Sequence, residues 1–438
     1  MPDIRWRRKQ RKNFISDLFY YMKSHLLTHI KQLVNVRMDS KPLYGSAMAE
    51  LPVIEDAWLL VEGNQIAGFG KMDSIKKDLP KKPETETDCS GQLVLPAWCD
   101  SHTHLVFAGS RENEFVDKIK GLSYAEINAR GGGILNTVQQ VKEMPEKELF
   151  RISWKRLEEL TRMGTGAVEI KSGYGLTVES ELKMLRVIKK LKEKSNLQIK
   201  SSFLGAHTYP LQYRENHAGY LKEIIDDMLP VIATEKLADY MDVFCEQGFF
   251  SPEETETLLQ AGLRFGLKPK IHVNQLHSTG GIETGIRVNA LSMDHLETLD
   301  PDEISLMKKS GWKGFCTLLP TAAFFLRMPF PPARLLLESG MALALASDYN
   351  PGSSPTGNMN LVIAMACIQM KLLPEEALNA ATINGAYAMG SGDSCGSITI
   401  GKEANLIITL PVSSISYLPY AFGSNLIDKV MIRGTFVA

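Results

Sequence analysis

The sequence predicts an α/β fold: a TIM-like (β/α)8 barrel carrying a small β-sandwich domain formed by both chain ends. Three observations predict it. Eight apolar, β-branched runs recur through the middle of the chain, with helical patterns between most of them. Short strand-and-turn patterns fill the two ends. The 438 residues exceed the roughly 250 of a bare barrel, which leaves room for a second unit.

Residues 1–21 crowd Arg5, Arg7, Arg8, Lys9, Arg11 and Lys12 together. They lack an apolar core followed by small residues, so they read as a disordered basic extension, not a secretory signal, with a natural start near Met22. Residues 22–95 and 402–438 are expected to share one composite β domain. Within it, 57–61 and 65–70 form a hairpin around Glu62-Gly63-Asn64, and 404–410 and 429–437, with a turn at Gly434, come from the other end. The barrel is expected over 96–401, its strands drawn from the runs 94–98, 166–170, 199–204, 240–244, 269–273, 290–293, 314–318 and 341–346. Among the intervening helices, 146–162 places Leu149, Ile152, Leu157 and Leu160 on one broad face, and 179–194 does the same with Leu182, Leu185, Ile188 and Leu191. A third, 252–265, follows a Ser251 cap and opens with an acidic turn.

A net charge of −1 argues against nucleic acid and anionic membranes as partners. No run of about 18 apolar residues suggests a membrane span. The six cysteines are scattered and form no CxxC pair, as expected for reduced thiols in a cytoplasmic protein. A cysteine zinc site is correspondingly disfavoured.

The polar residues fall where a barrel keeps its chemistry, at the C-terminal ends of its strands. The first run leads to His102 and His104, the third to His207, the fourth to Glu246, the fifth to His272, the sixth to Asp294-His295 and the eighth to Asp348. On an extended segment residues i and i+2 face one side, so His102 and His104 can grip one ion together. A third imidazole and a carboxylate would complete a site suited to Zn or Fe, with a position left for water. Such an ion lowers the pKa of water and polarises a carbonyl, and a nearby base takes the proton. Singly, each residue has a structural explanation: His207 as a barrel histidine, Asp348 as the cap of the turn Asn350-Pro351-Gly352, His295 as a backbone partner. Their recurrence at successive strand ends favours the chemical one. His25, His29, His217 and His277 lack such placement and read as surface or packing residues.

Longer strings sharpen this. HTHLVFAGSRENEF (102–115), GGGI (131–134), EIKSGYGL (169–176), LGAHTYP (204–210) and SDYNPGS (347–353) resemble the imidazolonepropionase family of the amidohydrolase superfamily, over nearly the whole chain from about residue 22. The resemblance implies hydrolysis of the ring amide of 4-imidazolone-5-propanoate to N-formimidoyl-L-glutamate in histidine degradation, by a homodimer with one metal ion per subunit. It implies His102, His104, His272 and Asp348 as metal ligands. It assigns Arg111, Tyr174 and His207 to the substrate, Asn350, Gly352 and Ser353 to a loop binding substrate or product, and His295 to a place beside the attacking water. Arg111 suits the propionate because guanidinium meets a carboxylate with two prongs, and the Gly352-Ser353 segment suits an anion through its backbone N–H groups.

One departure matters. Many relatives carry Glu three residues after the strand-five histidine, and here Gln275 stands there. An amide can hydrogen-bond substrate but cannot shuttle a proton, which argues against a deaminase and leaves proton transfer to Asp348, His295 or His207. Two-metal relatives use a modified lysine at the end of strand four, where this chain has Cys245-Glu246; Lys171 ends strand two. One ion is therefore expected. The alternatives are a cyclic amidase or deaminase of another heterocycle, and a metal-free scaffold.

Overall fold

A computed structural model describes residues 24–79, 82–122, 126 and 132–437. The expected basic extension 1–21 and the start near Met22 lie outside the described residues.

Eight parallel strands form the barrel in chain order: β1 Trp98–Thr103, β2 Thr165–Lys171, β3 Gln198–Ala206, β4 Tyr240–Cys245, β5 Lys268–Val273, β6 Ser292–His295, β7 Phe315–Leu318 and β8 Ala342–Leu345. The last strand reaches the first just past its own end. There Asp348 N donates to His102 O at 3.0 Å, and His104 N donates to Tyr349 O at 3.0 Å. The ring is thus closed by the residues expected to carry the chemistry.

The first strand departs from expectation. The apolar run expected at 94–98 is indeed extended, but Leu93–Pro96 pairs with Leu406–Thr409 in the other sheet. The barrel starts at Trp98, and its strand is WCDSHT, with every residue buried. Hydrophobicity hid it, because this strand points polar groups at a buried polar centre instead of an apolar core.

The other sheet joins Ser24–Val34, Val53–Glu62, Gln65–Lys71, Thr85–Asp88, Leu93–Pro96, Leu406–Thr409, Ile427–Ile432 and Thr435–Phe436. Most of its pairings are antiparallel, and the expected hairpin forms with Glu62 opposite Gln65. Gln65 also bridges to Glu403, in the segment that leads into Leu406–Thr409. Leu27, Leu33, Leu59, Ile66, Leu406 and Ile408 pack together in one buried cluster of this sheet. Fully burying a side chain of this kind stabilises by about 2 kcal/mol.

The helices form where the apolar spacing places them. Glu146–Arg162 buries Leu149, Leu157 and Leu160, and Val178–Lys194 buries Leu182, Leu185, Ile188 and Leu191. Pro252–Arg264 starts in a reciprocal cap: Ser251 Oγ accepts from Glu254 N at 3.2 Å, and Glu254 Oε2 accepts from Ser251 N at 2.8 Å. A shorter helix, α1 Glu112–Ile119, leads away from Arg111 just beyond the metal-facing end of β1. Among the described residues, no helix is long and apolar enough to cross a membrane.

Candidate metal centre and its cavity

At the C-terminal ends of the strands lies a cavity of about 590 Å³. His104, His272, His295 and Asp348 line it, and so do Arg111, Tyr174, His207, Gln275, Asn350, Gly352 and Ser353. Of the residues singled out from the sequence for metal, substrate or proton transfer, only His102 does not line it. His102 is fully buried, with its ring centroid 4.4 Å from that of His272.

The spacing of the nitrogen and oxygen atoms suits one ion. Asp348 Oδ1 lies 3.4 Å from His102 Nε2 and 3.6 Å from His104 Nε2, and the Nε2 atoms of His272 and His104 are 3.4 Å apart. Ligands about 2.1 Å from a tetrahedral ion sit roughly 3.4 Å from each other. His102, His104 and His272 offer ligand atoms within 4.8 Å of one another, and so do His102, His295 and Asp348. His102 Nε2, which faces this centre, is buried without a hydrogen-bond partner, a state an unliganded core avoids.

The tautomers are fixed from behind. His102 Nδ1 donates to Asp294 Oδ2 at 2.7 Å, and His272 Nδ1 donates to Asp242 Oδ1 at 3.0 Å. Both rings thereby turn an Nε2 lone pair toward the centre. Burial, with help from Lys171 and the neighbouring imidazoles, holds the pKa values of His102 and His272 well below the usual histidine range, so both are neutral as ligands must be.

Beneath the histidines lies a layer of buried charge. Lys171 Nζ is 2.7 Å from Asp242, 2.6 Å from Glu169 and 3.5 Å from Asp294, and Lys270 pairs with the second oxygen of Glu169. All five side chains are fully inaccessible. Burial opposes the charge on Lys171, but Asp242 and Glu169 outweigh it and raise its pKa.

Asp348 and His295 sit in backbone conformations that non-glycine residues rarely adopt, with φ of +53° and +87°. Ser353 Oγ donates to Asp348 Oδ2 at 3.0 Å, leaving Oδ1 toward the histidines. Burial raises the Asp348 carboxyl to about 6, against the lowering influence of His295 and Ser353. His295 Nδ1 lies 3.3 Å from Glu297 Oε1; burial opposes a charge on this ring, yet Glu297 and Asp348 together raise its pKa. His207 differs. Its Nδ1 donates to Gly173 O at 3.0 Å, and burial lowers it to about 4, so it is neutral with Nε2 left as an acceptor.

One expectation needs correction. The N–H groups of Gly352 and Ser353 both donate to Asn350 Oδ1 at 2.8 Å, so they shape the loop and are not open to an anion. Glu114 Oε2 accepts from Arg111 Nε and Nη2 at 2.8 and 2.6 Å, which fixes that edge of the guanidinium and leaves the Nη1–Nη2 edge for a ligand. Tyr174 is nearly fully buried, its ring 5.4 Å from His207 and 5.8 Å from His104. Gln275 lies on a loop held by Glu246, which accepts from Leu276 N at 2.8 Å and pairs with His277 Nδ1 at 3.0 Å.

The sequence pattern of the amidohydrolase family matches residues 93–437. The chain is similar to an imidazolonepropionase of Flavobacterium johnsoniae, 57% identical over 94% of this chain and 99% of the relative. Another imidazolonepropionase, from Thermoanaerobacter pseudethanolicus, is 38% identical over 94% of this chain and 97% of its own. Among solved structures, the fold is similar to that of a guanine deaminase of E. coli, with a TM-score of 0.71 at 16% identity over 95% of this chain and 99% of that one. It is also similar to that of a zinc-bound adenosine deaminase of Xanthomonas campestris, with a TM-score of 0.68 at 17% identity over 94% and 92%.

Proposed function

The chain belongs to the amidohydrolase family, within its imidazolonepropionase group, and from that premise we propose how its cavity opens the ring amide of 4-imidazolone-5-propanoate to give N-formimidoyl-L-glutamate in histidine degradation. The observation that carries the assignment of roles is the conjunction of three imidazoles and one carboxylate at ligand spacing with a guanidinium on the wall of the same cavity.

His102, His104, His272 and Asp348 would hold one zinc or iron ion. When bound, that ion supplies Lewis-acid activation of a water and of the ring carbonyl. The remaining steps belong to the chain. Asp348, steadied by Ser353, and His295, steadied by Glu297, stand beside the water and take its proton. Protonated His295 can donate to the oxygen that gains charge as water adds to the carbonyl carbon. Neutral His207 accepts from a ring N–H and orients the heterocycle, a role its locked Nδ1 leaves to Nε2. The carbonyl C–N bond then breaks, the departing nitrogen takes the proton, and the former carbonyl becomes the α-carboxylate.

Gln275 hydrogen-bonds substrate without moving protons. Arg111 and Tyr174 hold the propionate end. The six thiols are unpaired, which supports a reducing, cytoplasmic setting, and we take the enzyme to work there as a homodimer.

The test is turnover of fresh imidazolone propionate by purified protein, followed as loss of its ultraviolet absorbance with and without a chelator. Chelator-sensitive loss yielding formimidoyl-glutamate is expected. No loss by metal-loaded protein would overturn the substrate.

A further inference from the structure

Arg111, Glu114 and Lys118 recur at helical spacing along α1 and its N-cap, so they share one face. Glu114 is nearly buried and engaged through both oxygens: Oε2 accepts from Arg111 Nε and Nη2, and Oε1 accepts from Gly133 N at 3.0 Å. It aims the guanidinium by taking up the Nε–Nη2 edge, and leaves Arg111 the Nη1–Nη2 edge for a ligand. Its Nη1 packs over Gly352: a Cβ built there would lie 2.2 Å from it.

Lys118 stands at the same spot. Its Nζ donates to Gly352 O at 3.2 Å, lies 5.6 Å from the centre of the Phe325 ring, and lines the cavity together with Arg111. The bond to Gly352 uses one of three ammonium protons. The three side chains sum to one positive charge, the complement of one carboxylate.

We propose that Lys118 is a specificity-determining residue that binds the substrate's propionate, adding beside Gly352 a second cation to the guanidinium of Arg111. The carboxylate then bridges Arg111 Nη1 and Lys118 Nζ across Gly352. Lys118 selects substrates bearing an anionic arm on the ring, and neutral heterocycles gain nothing from it. Its partial burial, next to the guanidinium, already lowers its pKa, which an incoming carboxylate would reverse.

The inference rests on the proposed hydrolysis, so wild-type turnover of imidazolone propionate is measured first. Lys118→Met and Lys118→Arg are then compared with wild type on that substrate and on an imidazolone whose side chain ends in a methyl group. One charge-assisted hydrogen bond corresponds to roughly a 10- to 100-fold change. Lys118→Met is expected to raise KM for the propionate substrate by about that factor, with a smaller change in kcat and at least tenfold less effect on the neutral substrate. Lys118→Arg is expected to restore most of the loss. Equal losses on both substrates, or none on the acid, would overturn the role of Lys118 while leaving the hydrolysis standing. Absence of wild-type turnover would remove both. Thermal melting of each variant identifies a misfolded protein, and in that event Lys118→Gln gives the same comparison.

Discussion

Lys171 Nζ lies 2.7 Å from Asp242 Oδ2, while the other oxygen of Asp242 holds His272 Nδ1 at 3.0 Å. The same ammonium is 3.5 Å from Asp294, which holds His102. One buried cation thus underlies two carboxylate–histidine pairs on four strands. Replacing Lys171 with Met keeps the length and removes the charge, leaving Asp242 and Asp294 buried with only Lys270 nearby. Removing one partner from a buried ion pair costs about 3–5 kcal/mol. A chemical-denaturation curve of Lys171→Met is expected to show that loss; a stability matching wild type would mean the carboxylates are neutral and the ammonium dispensable.

Asp294→Asn is a milder change with a narrower readout. The amide can present its N–H₂ to His102 Nδ1, which reverses the tautomer and turns an N–H toward the centre. Loss of such a partner weakens metal binding roughly 10- to 100-fold. Competition with a chromophoric chelator measures it directly, and retention at wild-type strength would show that Asp294 does not set the tautomer.

The histidine constellation was legible because imidazoles are scarce and fell at strand ends, where side chains converge. Helices were legible from apolar spacing such as that of Leu182, Leu185, Ile188 and Leu191. The layer beneath was not, because it depends on pairings between strands far apart in sequence. Its signal was present as charges inside strands: Glu169 and Lys171 in TGAVEIK, Asp242 in YMDVFC, Lys270 in KPKIHV. A charge buried in a barrel strand needs a partner, but periodicity cannot say which. The first strand failed for a related reason, since WCDSHT has the composition of a turn until its neighbours supply partners. The engagement of Arg111 by Glu114 was readable as an i, i+3 pair, but spacing does not say which edge of the guanidinium the carboxylate takes.

Metal removal should be felt as stability as well as activity. His102, His104 and His272 pack neutral imidazoles together, with His102 Nε2 turned to the centre and lacking a hydrogen-bond partner. An ion that binds only the folded state stabilises it by roughly 3–4 kcal/mol at 100 to 1,000 times its dissociation constant. Dialysis against a chelator is expected to lower the melting temperature, and stoichiometric zinc or ferrous iron to restore it. A melting temperature indifferent to both would count against these residues as ligands.

Gly352 separates positioning of the guanidinium from its chemistry. Its backbone lies outside the left-handed region, so alanine is conformationally tolerable there, but the new methyl would stand 2.2 Å from Arg111 Nη1. The guanidinium cannot yield toward Glu114, which already holds its other edge at 2.6 and 2.8 Å. It must rotate away from the cavity, and the displacement of about an ångström that follows can cost roughly 100-fold in rate. Gly352→Ala is therefore expected to lower kcat/KM for imidazolone propionate by roughly 10- to 100-fold, mostly through KM, with metal content unchanged. If kcat falls instead and KM holds, the loop acts through Ser353 and Asp348, and the carboxylate is held elsewhere.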